Sequence, residues 1–221
     1  MAANNDRGFA TRLKVARRLA ESEIGSVIVE HPFYGARRAH NGSQPVRTVV
    51  DFIEMGLGAA TEGIGLIMWL VESGAIAGVA GFSQGGSNAA VVGALSPYPI
   101  AVAPMAASHS SSPVFTEGVL ADSIEWDALG GREAGIVELR DLLANLTTLA
   151  LPVPSHTAWA VFGIARGDGY VLESFIRPTI ELWEGAEAVY VNVGHAGFHL
   201  WGQGVQAQMI GRAFARLERV G

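Results

Sequence analysis

Helical and strand-like hydrophobic patterns alternate along the whole chain. Phe9, Leu13, Ala16 and Ala20 recur at spacings of four, three and four, which makes one stripe of an amphipathic helix over residues 8–22. IGSVIVE (24–30) is a short β-branched run that predicts a strand, and HPFYGARRAHNGS after it reads as a loop. Residues 45–73 predict a long helix broken locally by glycines. AIAGVAGF (75–82) is an apolar strand running straight into Ser83, and QGGSNAAVVGAL is a helix of small residues suited to close packing on a sheet. YPIAVAPM, TAWAVFGIA (157–165) and EAVYVNV (187–193) are further strands, the last two separated by a helical stretch containing Pro178. Val205, Met209, Ala213 and Leu217 mark a closing helix. No internal repeat interrupts this order. The alternation predicts an α/β fold, a mostly parallel sheet with helices on both faces.

Ligands of such sheets bind beyond the carboxyl ends of the strands. The residues there are His31 and Tyr34 after the first predicted strand, Ser83 after the second, Asp168 after the fourth and His195 after the fifth. The third strand leads into residues 106–155, which carry short helical and loop patterns and stand where a lid would cover the site.

Composition narrows the picture. A chain of 221 residues suits a single domain, here 1–221 with a lid-like insertion at about 106–155. The 49% hydrophobic content predicts a well-covered core, and a net charge of −6 argues against a nucleic-acid partner. The absence of cysteine excludes disulfides and thiol catalysis. Arg7, Arg12, Lys14, Arg17 and Arg18 mimic a transit peptide, but the apolar stripe among them reads better as a core helix. MGLGAATEGIGLIMWLV (55–71) contains Glu62 and is bounded by Glu54 and Glu72, so a buried core helix is expected rather than a membrane span. Without a recognised leader or span, the expected compartment is the cytoplasm.

Gly81, Ser83 and Gly85 fit G-x-S-x-G, a turn that lifts a serine hydroxyl out of a sheet. The pattern alone is weak. It gains force from Asp168 and His195, which follow in the order serine, acid, histidine, each at a strand end. In that arrangement Ser83 attacks an acyl carbonyl, His195 takes its proton, and Asp168 orients the imidazole. The Gln84 N–H supplies one oxyanion donor. Asp168 could instead be a turn residue. His199 competes with His195, which lies nearer the strand end, while His31 and His109 read as pocket or loop residues. No metal-ligand spacing and no phosphate-binding glycine pattern occurs, so no metal and no cofactor are expected.

EHPFYGARR (30–38), GFSQGGSNAAVVGAL (81–95), VFTEGVLADSIEWDAL (114–129), RGDGYV and VGHAGFHLWGQ together resemble the α/β-hydrolase-domain-containing protein eighteen family. The resemblance implies an α/β-hydrolase fold with Ser83, Asp168 and His195 as the triad, and a lipid or other acyl ester as substrate. Two departures stand out. Gln84 occupies a position where many relatives carry Met, which leaves the backbone donor intact. The chain also begins at the loop that would supply the second oxyanion donor, near Ala3 or Asn4, so that donor is expected on a loosely held terminus. In the usual sheet another strand separates 24–30 from 75–82. The two would therefore pair directly in a narrowed five-stranded sheet, or the chain is a fragment or a mis-started reading frame. The expected function is a serine hydrolase cleaving an ester through an acyl-enzyme. The alternatives are an acyltransferase with the same triad, or an inactive hydrolase-like binding protein or truncated fragment.

Overall fold

The computed structural model describes residues 1–3, 8–38, 46 and 48–218. Its centre is a parallel sheet of β1 (Gly78–Phe82), β2 (Ala101–Met105), β3 (Val161–Ala165) and β4 (Glu187–Val191), ordered β1-β2-β3-β4. Helices α1 (Ala10–Ala20), α2 (Val49–Glu72), α3 (Gln84–Leu95), α4 (Ser111–Thr116), α5 (Arg132–Leu143), α6 (Glu173–Leu182), α7 (His195–Trp201) and α8 (Gln203–Glu218) surround or flank it. These four strands are the hydrogen-bonded ones among the described residues.

The strands are short apolar runs because both faces are covered. Their alternation sorts the core into two layers. Val102, Phe162 and Ile164 join Val92, Ile176 and Trp183 on the face covered by α2, α3 and α6. Ala101, Ala103, Met105, Val161 and Ala165 face Leu19, Met209, Ile210 and Ala213 on α1 and α8. Close approach explains two glycines in this packing. A β-carbon on Gly93 would sit 2.9 Å from Val102, and one on Gly163 would sit 2.9 Å from both Met105 and Met209.

The predicted strand at 24–30 is not one. The segment passes beside β1 without pairing, and a cavity of about 640 Å³ lies between them, lined by Val27, Ile28 and Val29 on one side and Gly78, Val79 and Ala80 on the other. β-Branched residues favour extended backbone, but a strand also needs an edge within hydrogen-bonding distance. Direct pairing with 75–82 therefore does not occur. β1 itself uses Ala77, Val79, Gly81 and Ser83 towards β2, since Ala101 N–H donates to Ala77 and Ser83 N–H to Met105. Its outward Ala80 carbonyl accepts from the N-terminal ammonium at 2.6 Å.

Helix α2 also departs from expectation. It starts behind a capping box, with Thr48 and Asp51 exchanging hydrogen bonds of 3.0 and 3.1 Å. One stripe, Met55, Ala59, Ala60, Gly63 and Ile67, is buried. The opposite side exposes Val50, Leu57, Met68 and Trp69. The expected core helix is thus buried along one stripe, packed on α3 and β1, with Phe52 near its start meeting Phe115 of α4. Its apolar composition continues onto a side that no element among the described residues covers. Among the described residues it is the helix long and apolar enough to cross a bilayer by length and composition. Its Glu62 carboxylate is held by both terminal nitrogens of Arg37, at 2.6 and 2.7 Å.

Candidate active site

Ser83 stands between β1 and α3 with φ 57° and ψ −123°, a backbone conformation that costs a non-glycine residue on the order of 1–3 kcal/mol. The neighbouring glycines make this turn sterically feasible. A β-carbon on Gly81 would fall 2.0 Å from the Gly85 carbonyl oxygen, and one on Gly86 2.5 Å from that of Met105. Gln84 opens α3, so its N–H has no acceptor within the helix. The turn thus presents a hydroxyl and a backbone donor side by side.

Asp168 follows β3 and His195 opens α7 just after β4. The carboxylate is buried and accepts three hydrogen bonds. Oδ1 takes the N–H of Tyr170 at 2.8 Å and of Val171 at 2.9 Å, which fixes the carboxyl plane. Oδ2 lies 2.6 Å from His195 Nδ1, which turns the other ring nitrogen away from the acid. The imidazole rests between Phe82 and Tyr170, with ring centroids 4.9 and 5.1 Å away. It therefore sits against the residue preceding Ser83. Among the described residues Ser83 Oγ makes no hydrogen bond.

The carboxylate meets His195 and not His199. The His199 ring packs 5.0 Å from Phe82 and lines the cavity beside β1. His31 is wholly buried, stacks 6.3 Å from Tyr34, and lies away from the Ser83 cavity. Burial, then the nearby N-terminal ammonium, Arg12 and Arg37, push its pKa down to about 3. Asn4 lies outside the described residues. The segment just before it is packed rather than loose: Ala2 and Ala3 are buried, and a β-carbon on Gly85 would approach the Ala2 and Met1 carbonyl oxygens to 2.4 and 2.6 Å.

A cavity of about 250 Å³ opens on Ser83 and follows α3 past Gln84, Ser87, Asn88, Val91 and Leu95. From Gln84 to Leu95 the helix rises about 16 Å, at roughly 1.5 Å per residue. Phe52 and Leu57 of α2, Phe115 of α4 and Leu143 and Leu146 supply apolar walls. Val114 and Leu120 of the same segment, 106–155, also reach the cavity. Val119 is half exposed, and Trp126 donates its indole N–H to Ala121. His109 lines the wall with Nδ1 3.0 Å from Thr147 Oγ1, and burial lowers its pKa. Sequence reasoning missed the Gln84–Asn88–Val91–Leu95 face. Its spacing of four, three and four was the available signal, masked by the small residues around it. No group of three or more His, Asp or Glu placed to hold a metal occurs among the described residues.

A parallel sheet covered on both faces, with a G-x-S-x-G turn closing its first strand, defines a shortened α/β-hydrolase fold. The chain belongs to the alpha/beta hydrolase domain containing 18 family, which matches residues 1–135 and 130–216. Among solved structures, a variant of the SOBER1 protein of Arabidopsis thaliana is 12% identical, with 98% of this chain and 97% of that one covered and a TM-score of 0.55. An enol-lactonase of Burkholderia xenovorans is 16% identical over 71% of this chain and 73% of that one, with a TM-score of 0.39. A hydrolase of Pseudomonas aeruginosa is 16% identical over 72% and 71%, with a TM-score of 0.40.

Proposed function

We propose that the protein is a serine hydrolase that cleaves a carboxylic ester through an acyl-enzyme. Ser83 Oγ attacks the ester carbonyl while His195 Nε2 takes its proton. The same imidazolium then protonates the departing alcohol, and water repeats the cycle on the acyl-enzyme. Asp168 holds the imidazole in the required tautomer and stabilises its charged form. The Gln84 N–H faces the oxygen that becomes negative in the tetrahedral intermediate, a donor whose loss typically costs about 3 kcal/mol of barrier. Residues 106–155 act as a lid over the acyl group.

The observation that carries this reading is a strained Ser83 at the head of α3 together with a buried Asp168 that holds the partly buried His195, 2.6 Å apart, on neighbouring strand ends. The test is labelling with a fluorophosphonate probe, wild type beside Ser83→Ala. Labelling that vanishes in the variant is expected. A folded wild type that takes no label would mean a hydrolase-like binding protein.

A further inference from the structure

The cavity beside Ser83 contains polar atoms whose hydrogen-bonding needs are met, and two side chains whose needs are not. Ser87 Oγ donates to the Ser108 carbonyl at 3.0 Å, and Ser108 Oγ donates to that of Ser110 at 2.5 Å. Ser110 Oγ accepts from the Ser112 N–H at 3.2 Å, and His109 meets Thr147. By contrast, Gln84 Nε2, Gln84 Oε1 and Asn88 Nδ2 are buried without a partner, and Asn88 is 8% exposed. Both amides line the cavity. Four residues apart on α3, they are neighbours on one helix face, Gln84 directly after Ser83 and Asn88 one turn further on. Beyond them that face becomes apolar at Val91 and Leu95.

Buried amides left unpaired are costly, and a ligand group that pairs them recovers that cost on binding. The two side chains offer donors and an acceptor together, which complements a hydroxyl, itself both acceptor and donor. A bare hydrocarbon chain would leave them stranded. We propose that Gln84 and Asn88 select an acyl group that carries a hydroxyl a few carbons beyond the scissile carbonyl and then an apolar tail lying along Val91 and Leu95. The inference rests on Ser83 being the acylated residue, which sets the carbonyl at the head of α3.

The test compares p-nitrophenyl esters of decanoic, β-hydroxydecanoic and δ-hydroxydecanoic acids. One hydroxy ester should exceed the plain ester by at least about tenfold in kcat/KM, because sites built around a hydroxyl discriminate strongly against its loss. Asn88→Leu and Gln84→Met should each bring that ratio close to one. A wild type that does not discriminate, or a preference that survives both variants, overturns the proposal. Binding of the free acids to Ser83→Ala by calorimetry separates it from the hydrolase reading. Tighter binding of a hydroxy acid, lost in the Ser83→Ala, Asn88→Leu double variant, supports the polar pair even if no ester is cleaved. Equal binding of all three acids means that water alone satisfies the amides, and the proposal fails.

Discussion

Acidification to pH 5 should destabilise the fold through His31. The imidazole is wholly buried, and neither ring nitrogen has a hydrogen-bond partner. Its pKa falls from 6.5 to about 3, chiefly through burial and further through the N-terminal ammonium, Arg12 and Arg37. The sign follows from proton linkage. Between pH 6.5 and about 3 the unfolded chain binds a proton that the folded one refuses, so this contribution is complete above pH 6.5 and is lost as the pH falls. The slope is about 1.4 kcal/mol per pH unit, so the 1.5 units between 6.5 and 5 cost roughly 2 kcal/mol. Burial lowers the pKa of His109 and His156 as well, and both add to the slope with the same sign.

A variant isolates the His31 share. Urea unfolding followed by circular dichroism at pH 7, 6 and 5 gives the stability difference for wild type and for His31→Phe, whose ring can keep the stacking on Tyr34. The wild type should lose about 2 kcal/mol more than the variant between pH 7 and 5. Equal losses would refute the reasoning. So would an NMR titration of His31 near 6.5 in the folded protein.

Three further outcomes are expected. Gly81→Ala puts a β-carbon 2.0 Å from the Gly85 carbonyl oxygen; the turn must open, at about 3 kcal/mol or more, so the melting temperature should fall by several degrees or more and probe labelling should disappear. Asp168→Asn keeps an acceptor for the Tyr170 and Val171 N–H groups but loses the charge facing His195; kcat/KM on a turned-over ester should drop by about 10⁴, and a drop below tenfold would remove Asp168 from its role. Phe162→Ala empties a site against Trp183, where the rings meet edge to face at 5.6 Å; chemical denaturation should show a loss of about 3–5 kcal/mol.

What the sequence disclosed and what it hid divide along a physical line. The runs VAGF, AVAPM and VFGIA announce strands because a parallel strand buried on both faces is apolar at every position, a property of the segment itself. Residues 24–30 carry the same β-branched signal, yet whether they pair depends on how far β1 stands from them, a distance set by the packing of α1, α2 and α8. The order Ser83, Asp168, His195 was legible because chain order and strand ends are one-dimensional facts. The preference for His195 over His199 rests on the same kind of fact, nearness to the strand end, and the carboxylate does meet His195 while α7 sets His199 back over Phe82. The packing of Ala2 and Ala3 against Gly85 was unreadable, since glycine at that position is explained equally well by the serine turn alone. The Gln84–Asn88 pair is the sharpest case. An amide on a helix of small residues looks like an ordinary solvated side chain until α2, α4 and the Leu143–Thr147 stretch close over it. Its missing partners then become a requirement placed on whatever enters the cavity.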